Sequence, residues 1–366
     1  MDFITIELRP FIQSCYVFIR MKNETESSHI EIIVKYKAIV IKTDNDHYDI
    51  RFPSTITLCP ASISRLEIVG KWIIFRVQTN PSNSSYGTFT CEFINTEEIK
   101  NDFKDTSKLN KVPPKNTNIS LMCSCCKNIL SNSTISFLKV LPLPSDECDP
   151  CEWFCCSHSN KIDYKALLSP TQQDFYYGSH FYILNKNIFT NLKINKTDIL
   201  CNRCLSIIGV SNDDTSFKIW CHCIEYQVHS SSDFKVDVNT PLTDFQLALK
   251  YFLVNNDDKQ KEICFFTNEQ NQSKYLLLKV LEKNLSLLTD SVIDEVKGVN
   301  LKEQKITKVL FNCPKIELEN VNSENLVMCQ ISLKCIIAGI EYLVSSSKRI
   351  PPMHRFIGEY CISYIM

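Results

Sequence analysis

Apolar and polar residues alternate through the first quarter of the chain. The segments ITIELRP (4–10), CYVFIRM (15–21), IEIIVKYKAIVIKT (30–43), YDIRFP (48–53) and KWIIFRVQT (71–79) are rich in β-branched and aromatic residues with partial period-two spacing, the mark of half-buried strands. Turn-forming clusters at Asp44-Asn45-Asp46 and Asn80-Pro81-Ser82-Asn83 separate them. Residues 1–95 are therefore predicted to form an antiparallel β domain. The pattern then turns polar, and KNDFKDTSKLNKVPPKNTN predicts a linker or surface-crossing arm over 96–118. Beyond residue 231 both periodicities occur. A helix is expected to start near Thr240, with Thr243 or Asp244 as its cap, and to carry the apolar stripe FQLALKYFLV. EICFFTNE and KYLLLKVLE read as strands around a polar turn. SLKCIIAGIEYLVSSS reads as a second helix that stops before Pro351-Pro352, and FIGEYCISYIM as a final buried strand. Residues 231–366 are thus expected to be α+β, and so is the fold class of the chain.

Composition narrows the function. The chain has 366 residues, 44% hydrophobic and 22% charged, with a net charge of -1, enough for two or three domains with real cores. That charge balance lacks the basic face of a dedicated nucleic-acid binder, so no direct nucleic-acid contact is expected. With only seven glycines, the phosphate-cradling loops G-x-G-x-x-G and G-x-x-x-x-G-K-[ST] are missing, as are H-E-x-x-H and G-x-S-x-G. The first residues, MDFITIELRPF, do not read as a signal peptide, and no run approaches the ~18 apolar residues of a membrane span. Sequons such as Asn118-Ile-Ser and Asn195-Lys-Thr are expected to be unused. The 19 cysteines are an odd number, which fits poorly with complete disulfide pairing. A reducing compartment, cytosol or nucleus, is the expected location, and there clustered cysteines more often hold metal.

Two Cys-x-x-Cys pairs carry the chemistry. LMCSCCKNIL (121–130) supplies Cys123 and Cys126, and LCNRCLSIIG (200–209) supplies Cys201 and Cys204. Such a knuckle aims two sulfurs inward, and two knuckles complete the tetrahedron of a structural zinc ion with no open position for catalysis. A strand-like run follows each pair, as in a zinc ribbon. The intervening segment is long for a ribbon, but loop closure costs only ~0.6 kcal/mol per doubling of length. Residues 119–230 are therefore expected to be a cysteine-rich, zinc-ribbon-like region with a long insertion. The plainer alternative is four packed thiols, because free cysteine behaves as a small hydrophobe. Within the insertion, SDECDPCEWFCCSHSN adds Cys148, Cys151, Cys155, Cys156 and His158; Cys155, Cys156 and His158 are secondary metal candidates, though the spacing fits no standard module. Cys221 and Cys223 flank His222 after a strand and are expected on one face, packed.

The order of these elements resembles the HECT-like ubiquitin-protein ligases that bind ubiquitin-conjugating enzymes. The resemblance rests on Cys123 and Cys126, the V-L-P-L-P-S segment from Val140 to Ser145, Trp153 with Cys155, Gly178 to Leu184, and Cys201 with Cys204, with KVLFNCP at 308–314 as a weaker match. It implies a HECT-like domain over 231–366 and a cytoplasmic and nuclear protein that engages a ubiquitin-conjugating enzyme and a cyclin. It also implies a tie to messenger-RNA 3′-end processing. The expected function is a ubiquitin-protein ligase or ligase-like adaptor with a structural zinc. The alternative is a non-catalytic, chaperone-like regulator of the 3′-end cleavage and polyadenylation endonuclease. The chain departs from a HECT domain in having no Thr-Cys-Phe-Asn tetrapeptide near its C-terminus. Cys335 lies at a HECT-like distance from the end but inside an apolar helical run, and Cys329 and Cys361 are no better placed for a nucleophile, which needs an exposed, electropositive setting. No catalytic residue is assigned.

Overall fold

The computed structural model describes residues 1–9, 12–24, 30–44, 46–80, 112–132, 134–143, 169–229, 239–255, 262–269, 273–294, 298–314 and 326–366. The elements in chain order begin with β1 (Phe3–Arg9), β2 (Ser14–Arg20), β3 (Glu31–Lys35), β4 (Ala38–Lys42), β5 (His47–Arg51), β6 (Ser64–Val69) and β7 (Trp72–Gln78). The middle holds β8 (Ile119–Cys123), β9 (Lys139–Pro142), β10 (Asp174–Tyr177), β11 (Phe181–Asn185), β12 (Leu192–Asn195), β13 (Asp198–Cys201), β14 (Ile207–Ser211), β15 (Ser216–Trp220) and β16 (Ile224–Val228). The last part runs α1 (Pro241–Asn255), β17 (Glu262–Thr267), β18 (Lys274–Asp294), β19 (Gly298–Asn312), β20 (Leu326–Gln330), α2 (Leu333–Ser347), β21 (Phe356–Ile357) and β22 (Tyr360–Ile365).

The α+β expectation is overturned. Among the described residues strands dominate, and the two α-helices have 15 residues each. The expected C-terminal α+β domain instead contains two of the longest strands, β18 with 21 residues and β19 with 15. The two helical periodicities were real, but they are brief interruptions between strands whose pairing partners lie far away in sequence. The chain divides into two compact units: residues 1–94, 278–312 and 341–366 form one, and residues 95–277 and 313–340 the other.

In the first unit the sheet runs β3-β4-β5-β19-β18-β1-β2-β7-β6. Register explains its core. Ile4 faces Ile19 and Ile19 faces Ile73; Ile6, Val17 and Phe75 make the next row, and Leu8, Cys15 and Val77 the third. Period-two alternation places all nine side chains on one face, where each is buried. The opposite face of β1 carries Glu7, whose carboxylate accepts from Lys308 Nζ at 2.6 Å, Tyr364 Oη at 2.6 Å and Arg9 at 2.8 Å. Burial would raise this carboxyl, but the Lys308 charge, the Lys308 and Tyr364 hydrogen bonds and the Arg9 charge outweigh it and hold it below the ordinary 4.5.

In the second unit a seven-stranded sheet runs β12-β13-β14-β15-β11-β10-β9, and β16 pairs with β8 as a two-stranded ribbon. Phe137, Phe175, Phe181, Phe217 and Trp220 fill its core. Gly209 on β14 lies opposite Ile219, and a Cβ there would stand 2.2 Å from the Lys218 carbonyl, so only glycine lets β14 pass β15. The parallel pair β17–β20 receives α1 through Phe245 and Phe252 against Phe265. Thr240, rather than Thr243 or Asp244, caps α1: its hydroxyl accepts the Thr243 amide at 3.1 Å, and Pro241 occupies the first helical position. Asp244 is thereby free to point elsewhere. No helix among the described residues is long and apolar enough to cross a membrane.

Candidate metal centre

The two Cys-x-x-Cys turns have the same backbone construction. Each first cysteine ends a strand, Cys123 on β8 and Cys201 on β13. Its carbonyl accepts the amide four residues on, Lys127 at 2.8 Å and Leu205 at 2.9 Å. Its own amide donates to the next carbonyl, Asn128 at 2.9 Å and Ser206 at 3.0 Å. Lys127 and Leu205 both adopt the left-handed region, at φ 59° and 58°. A side chain other than glycine or asparagine is uncommon there, and a site that over-determines the turn supports that strain.

These turns bring four sulfurs together across a separation of up to 81 residues. Cys123 Sγ lies 3.7 Å from Cys204 Sγ, Cys126 Sγ lies 3.7 Å from Cys201 Sγ, and all four lie within 4.8 Å of one another. A tetrahedron with metal–sulfur bonds of about 2.3 Å puts its sulfurs about 3.8 Å apart. The donor set therefore fits a soft four-coordinate ion. Hydrogen-bond donors around the turns favour thiolate, whereas burial and the neighbouring sulfurs raise the thiols of Cys123 and Cys126. Backbone amides of Cys125 and Cys126 donate toward Cys123, that of Asn128 toward Cys126, and the amide and hydroxyl of Ser206 toward Cys204. Asn128 Nδ2 lies 3.7 Å from Cys201 Sγ and 2.9 Å from Asn202 Oδ1, tying one turn to the other. The protons are unequally held. Burial pushes the Cys123 thiol up to about 12, whereas at Cys204 burial is outweighed by the Ser206 hydroxyl and amide, bringing it down to about 6.

None of the remaining sequence candidates within the described residues belongs to this cluster. Cys125 is exposed and is not one of the four clustered thiols. Cys155, Cys156 and His158, together with Cys148, Cys151 and Trp153, lie outside the described residues. Cys221 and Cys223 are buried, in a single 3₁₀ turn rather than on a strand face. Cys329 and Cys335 are buried with 5% and 2% exposure, and Cys361 is half-buried; burial raises the thiols of Cys335 and Cys361. One cluster escaped the sequence reading. His222, Asp244 and Cys335 meet in the core of the second unit. Their separations of 22 and 113 residues match no ligand spacing, so no signal along the chain marks them.

Fold and site together define a β-sheet protein that sets two cysteine turns around one position for a metal ion. The family is then given by comparison: residues 7–362 match the family described as HECT-like ubiquitin-conjugating enzyme (E2)-binding, and the chain belongs to it. It is similar to a Mus musculus protein named as an E3 ubiquitin-protein ligase, with 22% identity over 290 residues, spanning 77% of this chain and 70% of that protein. No solved structure matches it.

Proposed function

We propose that this protein binds a ubiquitin-conjugating enzyme and serves as a ubiquitin-ligase-type adaptor, with a structural zinc ion held by Cys123, Cys126, Cys201 and Cys204. Membership of an E2-binding family over nearly the whole chain carries the first part, and the name of the mouse relative agrees with it. The four-thiol geometry supports the second. Thiolates select a soft ion, and four of them close its coordination sphere. Zinc there supplies a cross-link and no reactive position.

The buried cysteines of the C-terminal part are poor acceptors of ubiquitin. Thioester exchange needs a sulfur that can reach the carbonyl carbon at the end of ubiquitin, and Cys329 and Cys335 are closed off by packing. In this reading ubiquitin passes from the conjugating enzyme directly to its acceptor. The test is to incubate the full chain with a ubiquitin-charged conjugating enzyme and run the products on a non-reducing gel. Complex formation without a reducible ubiquitin adduct on this chain is expected. An adduct abolished by Cys335→Ser or Cys329→Ser, in protein that still melts normally, would overturn the adaptor mechanism.

A further inference from the structure

A second convergence of metal-ligand side chains lies in the unit formed by residues 95–277 and 313–340. His222 sits in the 3₁₀ turn between β15 and β16, Asp244 in the first turn of α1, and Cys335 in the first turn of α2. Asp244 Oδ2 stands 2.8 Å from His222 Nδ1, and Cys335 Sγ stands 3.6 Å from the same nitrogen. The three ligand atoms lie within 4.8 Å of one another, and all three residues are buried. Tetrahedral coordination with a sulfur at about 2.3 Å and a nitrogen at about 2.0 Å separates those two atoms by about 3.5 Å, and the nitrogen from a carboxylate oxygen by about 3.3 Å, so the hydrogen-bonded Asp244–His222 pair opens by about 0.5 Å to admit the ion.

The fold brings these groups together through one close approach. Gly339 of α2 lies against the ring of Phe245 of α1, where a Cβ would meet ring carbons at 2.6–2.8 Å. The two helices can therefore pack tightly at this point. Both acidic ligands then occupy helix N-terminal turns, where the backbone dipoles favour negative charge. Each ligand is also held from behind. Asp244 accepts from the His222 amide at 2.8 Å and from Asn239 Nδ2 at 2.9 Å. Ser332 caps α2 by accepting the Cys335 amide at 3.1 Å. On the far side of the imidazole, Nε2 lies 3.2 Å from Cys223 Sγ and 3.4 Å from Ser332 Oγ. Outer partners of this kind fix the orientation and tautomer of a metal-binding histidine.

We propose that His222, Asp244 and Cys335 form a second zinc-binding site, separate from the four-thiol centre and independent of the E2-binding reading. The mixed nitrogen, oxygen and sulfur set suits zinc. On binding, the imidazole proton resides on Nε2 instead of Nδ1 and is donated in a hydrogen bond to Cys223 Sγ or Ser332 Oγ, and the Cys335 thiol proton leaves to solvent. One dication with one carboxylate, one thiolate and a neutral imidazole gives a neutral buried cluster, which avoids the desolvation cost of net charge in the core.

The test is the zinc content of purified full-length protein, read as differences between variants. Cys335→Ala and His222→Gln are each expected to lower bound zinc by about one atom per chain, and Cys204→Ser to lower it by about one through the other centre. In cobalt-substituted protein, Cys335→Ala should remove the charge-transfer band of a one-thiolate site and leave the four-thiolate spectrum intact. Should alanine at 335 prevent folding, Asp244→Asn, which keeps the side-chain volume and an oxygen for the His222 amide, gives the same reading. Unchanged zinc in folded Cys335→Ala, His222→Gln or Asp244→Asn overturns the proposal. A loss in these variants with none in Cys204→Ser sinks the four-thiol reading while leaving this one standing.

Discussion

Replacing Cys204 with serine removes one of four sulfurs and should uncouple two distant parts of the chain. Cys123 and Cys204 are 81 residues apart, so the bound metal acts as a cross-link over a loop of that length in the folded chain. The chain-entropy relation for a cross-link gives about 4.5 kcal/mol of stabilisation for such a loop. Structural zinc sites release more than this in small peptides, about 10–16 kcal/mol, so loop closure is a lower bound on what the metal contributes. A three-thiol remnant keeps part of that affinity, and a loss of at least about 3 kcal/mol is expected for Cys204→Ser in the presence of zinc, on the scale set by the cross-link estimate. The assay is urea unfolding followed by tryptophan fluorescence, in which the buried Trp220 reports on the second unit. Wild type treated with a chelator should fall by more than this, because chelation also empties the His222, Asp244 and Cys335 set. Chelator should cost the variant clearly less than it costs wild type, because the contribution of the four-thiol centre is already largely lost and so cannot add in full. If the variant matches wild type, or if the two effects add in full, the knuckles are packed thiols and the metal account is wrong.

Four further outcomes follow from particular contacts. Glu7→Ala should lower the stability of the first unit by about 3–5 kcal/mol by stranding Lys308 and Tyr364 in a buried site, measured by urea unfolding. Because the folded-state pKa of Glu7 is depressed, its contribution is present in full above the ordinary 4.5 and is lost as pH falls through the lower folded value; wild type should lose stability over that acid range more steeply than Glu7→Gln. Gly209→Ala should cost about 2 kcal/mol or more by thermal melting, since its Cβ would meet a backbone carbonyl that no side-chain movement can clear, and a neutral result would refute the stated β14–β15 approach. Gly339→Ala should destabilise the second unit and weaken zinc binding by the His222, Asp244 and Cys335 set, because the Phe245 ring must shift and carry the first turn of α1 with it.

What could be read along the chain was local. The strand segments of the first quarter show their alternation directly, and both helices announce themselves by an apolar stripe, the first after a capping signal and the second before a proline stop. Cys123, Cys126, Cys201 and Cys204 were recognisable because a two-residue spacing within each turn is itself the geometric requirement for shared ligation. What could not be read is long-range pairing. Glu7 meets Lys308 and Tyr364 across 301 and 357 positions, and no periodicity encodes that distance. The α+β expectation failed for the same reason: helical stripes are conspicuous in sequence, whereas β18 and β19 show their length only once paired. His222, Asp244 and Cys335 are joined by the packing of α1 on α2, which depends on Gly339, a residue whose importance lies in what is missing from it. The cap of α1 was misplaced because Thr240, Thr243 and Asp244 are all competent capping residues, and only the structure shows that Asp244 is engaged by His222.

Binding to a conjugating enzyme is the property on which the proposed function rests. Isothermal titration of a ubiquitin-conjugating enzyme into the zinc-loaded full chain should give a saturable 1:1 complex, and protein stripped of zinc by chelation should bind much more weakly. Absence of binding to any of a panel of conjugating enzymes, with the zinc content and the melting transition of the protein intact, would contradict it.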